Sequence, residues 1–397
     1  MSFKYTLSIN SFGPVKRAEI SFNRFTVFVG PQGSGKSTIA KLFSLFLWLE
    51  KRLIRGLLTV RHAEQKSHFR NVYCAYHRLS TYFKDETEIT FTGKAYTFSY
   101  QSGNFSITPL GNNGSSVLKV MYVPAERNFL SSLGNHADIK SMPEALRTFK
   151  NEYNEACRKF ASGYLLPIGN TGFEYDRLNN IAWLTGREYR VRLTDASSGF
   201  QAALPMLIVS EYLTRQVAAR HNNAALSITE LDKLKSEVRT IISNPDLLPE
   251  VREAALSAIS ERFAYSGFVN VVEEPEENLY PSSLQDVLFH LLALTNSESG
   301  NQLVVTTHSP YLINYITLAI KAGELTSKGA DSAEVGKIVP AASVLQPDEV
   351  SIYELNDGGV RLLDMPAGLP SDRNLLNNAL GDLNDMFNTL LDIEDSL

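Results

Sequence analysis

The run Gly30-Pro31-Gln32-Gly33-Ser34-Gly35-Lys36-Ser37-Thr38 fits the phosphate-binding loop pattern G-x-x-x-x-G-K-[ST] at every fixed position. Its flanks agree with it: Phe25 to Val29 reads as a buried strand, and Thr38 to Phe43 reads as a helix start. Glycines let backbone N–H groups wrap the phosphates, and the helix N-terminus adds its partial positive charge. Lys36 is expected to reach the outer phosphates, and the Ser37 hydroxyl to ligate Mg²⁺. A nucleoside triphosphate is therefore the expected ligand, with Gly30, Gln32, Gly33, Ser34, Gly35, Lys36, Ser37 and Thr38 as its first contacts.

Around the loop, apolar strands alternate with helices. Short strands are expected at Tyr5 to Ile9 and Ala18 to Phe22, a mostly helical basic stretch at 39 to 84, and a hairpin over 87 to 107. A buried strand follows at Lys119 to Pro124, a helix at 141 to 161, short strands at 165 to 193, and a helical block at 200 to 264. Further apolar strands are expected at Phe268 to Val272 and Gln302 to Thr306. This order implies an α/β fold with a largely parallel sheet.

The first of these late strands carries chemistry. Gly267 to Val272 runs into Glu273-Glu274-Pro275-Glu276-Glu277, and acids at the end of a buried strand are costly unless a cation or a nucleophile needs them. A Walker B strand supplies that need: Glu273 would hold the Mg²⁺ shell and Glu274 would polarise the attacking water. Downstream, Thr307-His308-Ser309-Pro310 places a histidine just past another strand end, where it can sense the γ-phosphate. Upstream, Asp195-Ala196-Ser197-Ser198-Gly199-Phe200-Gln201 precedes an apolar helix, so small residues and backbone donors meet at a helix N-terminus, a second anion site.

In this order the motifs resemble the ABC-class ATPases of the SMC and RecF type, and within them the OLD-related AAA-type ATPases of bacterial anti-phage defence, such as PARIS-like, Septu-like or retron-associated systems. The resemblance covers about residues 1 to 320 and implies ATP and Mg²⁺ as cofactors, hydrolysis to ADP and phosphate, and two heads sandwiching two ATP molecules. Carried over, Ser197, Ser198 and Gly199 would cap the γ-phosphate in trans, Glu274 and His308 would be catalytic, and Ser37 and Glu273 would serve the metal. Glu273 stands where many relatives have Asp, and Ser198 replaces the first signature glycine. Arg127, in Tyr122-Val123-Pro124-Ala125-Glu126-Arg127, is open to two readings, a phosphate or dimer contact and a structural ion pair. No adenine-stacking residue is identified, and Phe12 beside Gly13 is the one suggestion.

The implied architecture is a P-loop ABC-type head over 1–320, with a mixed sheet and mainly helical insertions at about 45–165 and 210–265. A short α/β extension, 321–397, would end in an acidic amphipathic helix. No heptad arm and no nuclease-type acidic cluster are expected, so the chain reads as a nucleotide-switched sensor or scaffold that controls a separate nuclease or toxin effector. The alternative is a RecF-like DNA-binding ATPase of repair or recombination.

Net charge of -5 argues against a globally basic nucleic-acid coat. Yet Lys51, Arg52, Arg55, Arg61, Lys66, Arg70, Arg78 and Lys84 face a single acid, Glu64, over residues 51 to 84: a solvated basic surface or a docking patch for DNA. Asp382, Asp385, Asp392, Glu394 and Asp395 lie with Leu383, Met386, Phe387, Leu390 and Leu391 at helical spacing, a stripe for core packing or for a partner. Two unpaired cysteines, Cys74 and Cys157, the lack of a signal-like start and the lack of an 18-residue apolar run lead to the expectation of a reduced cytoplasmic protein away from membranes.

Overall fold

The computed structural model describes residues 4–111, 117–133, 142–219 and 226–395. β1 (Tyr5–Phe12) and β2 (Val15–Phe22) form an antiparallel hairpin. β3 (Phe25–Val29) is buried at every position and feeds the P-loop and then the helix Lys36–Ile54, the P-loop helix. The expected hairpin is present as β4 (Phe83–Thr92) and β5 (Tyr96–Gln101), and β6 (Asn104–Pro109) extends it to a meander whose first strand adds to β1. β7 (Val117–Val123) follows, and then a small antiparallel sheet of β8 (Tyr164–Leu165), β9 (Gly172–Asp176), β10 (Ile181–Thr185) and β11 (Arg190–Arg192). The late strands are β12 (Tyr265–Glu273), β13 (Gln302–Thr307), β14 (Val350–Asn356) and β15 (Gly359–Leu362).

Among the described residues the main sheet has eleven strands in the order β6-β5-β4-β1-β2-β15-β14-β3-β13-β12-β7. It is mixed. β14, β3, β13, β12 and β7 run parallel, and β6 to β2 form an antiparallel block. Strand β14 comes from the end of the chain yet lies directly beside the P-loop strand, with Glu354 opposite Val29. Its hairpin with β15 joins the parallel and antiparallel halves, since β15 also pairs with β2 at Arg17 and Gly359.

Successive side chains of the central strands enter opposite layers, as a sheet covered on both faces requires. Val27, Val272 and Val305 pack with the helices Ser198–Ala218, Pro281–Asn296 and Pro310–Ser327, whereas Phe28, Val271 and Val304 pack with the P-loop helix. Phe43 of that helix stacks on Phe22 with ring centroids 3.7 Å apart, and Phe46 stacks on Phe91 at 5.0 Å. Full burial of such a side chain contributes about 1.5–3 kcal/mol, so these pairs pin the P-loop helix across β1, β2 and β4.

Three expectations change here. The stretch 45–165 holds strands as well as helices: β4 to β7 join the main sheet between the P-loop helix and the helix Glu144–Lys159. The basic stretch is partly internal: Arg55 is wholly buried, donating to Glu230 at 2.6 Å, to the Tyr265 hydroxyl at 3.0 Å and to the Phe263 carbonyl at 2.7 Å. Lys51 joins the same carboxylate at 3.2 Å, so these two cations hold the helix Ile228–Ile242 against the P-loop helix. Finally, the helix Leu375–Glu394 does not use its apolar stripe as core: residues 378–395 are all exposed. Among the described residues no helix is long and apolar enough to cross a membrane.

Candidate functional site

The parallel strands end together at one rim of the sheet. Register fixes this: Thr307 lies opposite Val29, Glu273 opposite Thr306 and Val272 opposite Val123. At the end of β3 the loop turns through Gly30 (φ 152°), Gly33 (φ 75°) and Gly35 (φ 104°), all in the region glycine favours. A Cβ on Gly30 would stand 2.3 Å from the Leu355 carbonyl oxygen, so β14 closes one wall of the loop. Pro31, Gln32 and Gly33 are exposed, whereas Ser34, Gly35, Lys36 and Thr38 are buried and Ser37 is half-buried.

Lys36 is folded back onto the loop, donating to the Gly30 carbonyl at 2.7 Å and the Pro31 carbonyl at 2.9 Å. Burial lowers its pKa, and the charges of Glu274, Glu276 and Glu273 oppose that shift. The loop lysine and the acids after β12 thus share one electrostatic neighbourhood.

Those acids have different surroundings. Glu273, at the last position of β12, is 3% exposed; its Oε1 makes no hydrogen bond of ordinary length among the described residues, and the Tyr122 hydroxyl is the polar group beside its carboxylate. A buried carboxylate oxygen beside the P-loop is what a Mg²⁺ ion or its bound water would satisfy. No group of three His, Cys, Asp or Glu side chains that could hold a metal ion occurs among the described residues. Glu274 adopts a left-handed backbone (φ 44°), which swings its carboxylate off the strand, while its N–H still donates to Thr306 at 2.9 Å. Strain of about 1–3 kcal/mol at such a residue persists only when its surroundings enforce it.

Two side chains do the enforcing. Arg127, wholly buried, donates to the carbonyls of Glu273 at 2.6 Å, Glu274 at 2.7 Å, Pro124 at 3.2 Å and Ala202 at 3.0 Å, and lies 3.5 Å from Glu277. Of its two sequence readings the structural one holds in this arrangement, since the guanidinium is engaged on all sides by its own chain. Glu276 accepts from the Thr307 hydroxyl at 2.6 Å and the His308 N–H at 2.9 Å, tying β12 to the turn after β13. The sequence offered a signal for Glu276 in its Glu-Glu-Pro-Glu run but no role for it.

His308 Nδ1 lies 3.5 Å from Glu274 Oε1 and 3.6 Å from Glu276 Oε1. The Glu274 contact raises the His308 pKa against the opposing effect of partial burial, and reciprocally His308 holds the Glu274 carboxyl below its ordinary value. The Glu274 carboxylate, the His308 ring and the Lys36 ammonium therefore feel one another's charges beside the loop.

Ser197, Ser198 and Gly199 make no hydrogen bond or ion pair to the P-loop among the described residues. Ser197 caps the helix Ser198–Ala218 without a side-chain bond, and both serines are exposed. Gly199 is needed for close approach: a Cβ there would stand 2.8 Å from the Asn278 carbonyl oxygen. Gln201 folds under the turn, donating to the carbonyls of Leu193, Thr194 and Ala196 at 3.0–3.3 Å. Phe12 cannot stack on a base. It is fully buried, with Phe83 at 5.0 Å and Tyr82 at 5.7 Å between ring centroids.

Two family models match the chain on either side of this site. One, described as "AAA domain", matches residues 6–159 and contains the P-loop. The other, described as "AAA domain, putative AbiEii toxin, Type IV TA system", matches residues 255–314 and contains Glu273, Glu274 and His308. No curated protein sequence matches. Among solved structures, the SMC head domain from Thermotoga maritima is 12% identical with a TM-score of 0.38, covering 91% of this chain and 98% of its own. The recombination mediator RecF with a bound ATP analogue is 11% identical with a TM-score of 0.28 over 91% and 98% of the two chains.

Proposed function

We propose that this AAA-type P-loop ATPase chain is a nucleotide-driven switch that hydrolyses ATP and controls a separate effector in anti-phage defence. The observation that carries the hydrolytic part is the convergence of Lys36, Glu273, Glu274 and His308 at the ends of adjacent parallel strands. In this reading the bound Mg²⁺ neutralises developing phosphate charge. Lys36 leaves the Gly30 and Pro31 carbonyls for the outer phosphates, Ser37 and Glu273 orient the metal's shell, and Glu274 holds and deprotonates the attacking water. His308 senses the γ-phosphate and passes its state to Glu274 and Glu276.

The exposed Ser197, Ser198 and Gly199 turn supports closure in trans, because a helix N-terminus open to solvent is free to meet another copy's nucleotide. The toxin and TA-system wording of the model matching 255–314 supports a setting of phage or plasmid conflict. A RecF-like DNA-binding role is the second reading, favoured by Arg61, Lys66 and Arg78, which stay exposed. The discriminating experiment measures the mass of the Glu274→Gln protein with and without Mg-ATP, alone and expressed with its genomic neighbours. An ATP-dependent rise and a co-eluting neighbour are expected. Unchanged mass without a neighbour, together with salt-sensitive DNA binding, would move the reading to DNA.

A further inference from the structure

The helix Leu375–Glu394 starts in the body of the protein and then leaves it. Its first N–H, Leu375, donates to Glu354 at 2.6 Å, Asn374 caps Leu376 and Asn377 N–H groups at 3.1 and 3.0 Å, and Leu376 packs on the core. The exposed part, residues 378–394, spans about 25 Å at 1.5 Å per residue.

Little in this segment sustains a helix by itself. Between Leu375 and Asp395 there is no Lys or Arg for an ion pair, and Gly381 interrupts the middle at a cost of about 1 kcal/mol relative to alanine. Asp392 and Glu394 sit in the last turn, where the negative end of the helix disfavours them. Isolated helices of roughly this length are marginal in water. Yet Leu380, Leu383, Met386, Phe387, Leu390 and Leu391 form one stripe, each 41–63% exposed.

We infer that this helix pairs antiparallel with the same helix of a second copy, independently of nucleotide. Spacing is the first argument: Leu376, Leu380, Leu383, Phe387 and Leu390 recur by alternating steps of four and three, a coiled-coil seam. Charge is the second. The flanks of the seam from Leu380 to Leu390, Ala379, Asn384, Met386 and Leu391, are neutral, and Asp382, Asp385 and Asp392 lie on the opposite side, so the only acid on the seam line is Glu394, beyond its last leucine.

Orientation follows from the ends. The acids Asp392, Glu394 and Asp395 crowd one end of the helix, whereas at the other the first turn carries no acid of its own and Glu354 meets its first N–H. Antiparallel pairing lays Asp392, Glu394 and Asp395 beside that end of the second copy and brings Leu380 to its Leu390 and Leu383 to its Phe387. Parallel pairing would set these acids against one another. The six stripe residues offer on the order of 600 Å² of apolar surface per copy, approaching the roughly 800 Å² per partner of a standard interface.

The test is the mass of the full chain by sedimentation at micromolar concentration without nucleotide. Wild type is expected at twice the chain mass and the Leu383→Gln/Phe387→Gln/Leu390→Gln protein at the single-chain mass, with the melting temperature of the head unchanged because these side chains are exposed. A single-chain mass for wild type overturns the proposal and leaves the stripe for a different protein. A variant that remains double overturns it too. Oxidised Asn377→Cys protein should not cross-link to itself, since antiparallel helices hold these positions far apart; efficient self-cross-linking overturns the orientation. ATP-dependent closure is read separately by adding Glu274→Gln to the triple glutamine protein, whose single-chain mass should still double with Mg-ATP, so either reading can fail alone.

Discussion

The Arg127 guanidinium donates to the Glu274 carbonyl at 2.7 Å from a side chain with no exposed surface. One buried cation thereby fixes the turn that carries the expected catalytic base. Replacing it with methionine strands several carbonyls and leaves the surrounding glutamates uncompensated. Arg127→Met should lose about 3–5 kcal/mol of stability, the usual cost of breaking a buried charge network, read by urea unfolding. Lysine should not restore it, because one ammonium cannot reach four carbonyls in a planar fork.

Hydrolysis should divide between binding and chemistry. Lys36→Ala is expected to weaken nucleotide binding about 100-fold or more through loss of a charge-assisted phosphate contact. Glu274→Gln should bind normally and lose about 10²–10⁴-fold in kcat, the span of a missing general base. Fluorescent nucleotide titration and phosphate release separate the two. Turnover by Glu274→Gln at the wild-type rate would remove Glu274 from the chemistry.

The Glu274 and His308 pair gives a signed pH effect. His308 has its pKa raised above the ordinary 6.5, so its share of stability is full below that value and is lost as pH climbs through the folded value. Glu274 is lowered from 4.5, so its share is present above that value and is lost as pH falls through the folded one. The contact is therefore strongest in the window between the two folded values. In a ¹H–¹⁵N titration, Glu274→Gln should move the His308 midpoint downward; an unmoved midpoint would mean that the contact does not form in solution.

Gly30 and Gly33 should respond differently to a methyl group. Gly30→Ala drives a Cβ into the Leu355 carbonyl and should disrupt β14 as well as the loop, lowering stability and nucleotide affinity together. A Cβ on Gly33 meets nothing within 4 Å, so Gly33→Ala should cost only about 1–2 kcal/mol of left-handed strain. Thermal melting of the two variants checks the order.

Acid should attack the Glu230 junction late. Burial would raise its pKa, but Lys51, Arg55 and the Ser227 cap outweigh burial and hold it far below 4.5. Its stabilisation is present above the ordinary value and is lost only as pH falls through the depressed one. Glu230→Gln should cost about 3–5 kcal/mol at neutral pH by leaving Arg55 buried and uncompensated. If Arg55→Ala weakened DNA binding without loss of stability, the internal role given to Arg55 would be wrong.

What the sequence showed were features written in consecutive residues. β3, the P-loop and the start of its helix are legible because one strand, one glycine-rich turn and one helix are local patterns. The acids after β12 were legible for the same reason. The place of β14 was not: a run reading as strand and turn at 350 carries no mark of pairing with a strand at 25. Arg55 and Arg127 have the same side chain as any surface arginine, and only tertiary neighbours made them internal. Phe12 was suggested for a base because it lies near the loop in sequence, whereas β4 and Tyr82 cover it. The stripe on Leu375–Glu394 announced a helix correctly, but periodicity is silent on what stands opposite.

The seat of β14 between β3 and β15 sets a timetable for the newborn polypeptide. A ribosome that has made the P-loop at residues 30–38 must still reach residue 356 before the strand that walls it is complete. Until then the parallel and antiparallel halves have no shared edge to join along. A nascent chain therefore carries its nucleotide loop unfinished until β14 arrives, and interruption before β14 should yield fragments with both motifs and no competent pocket.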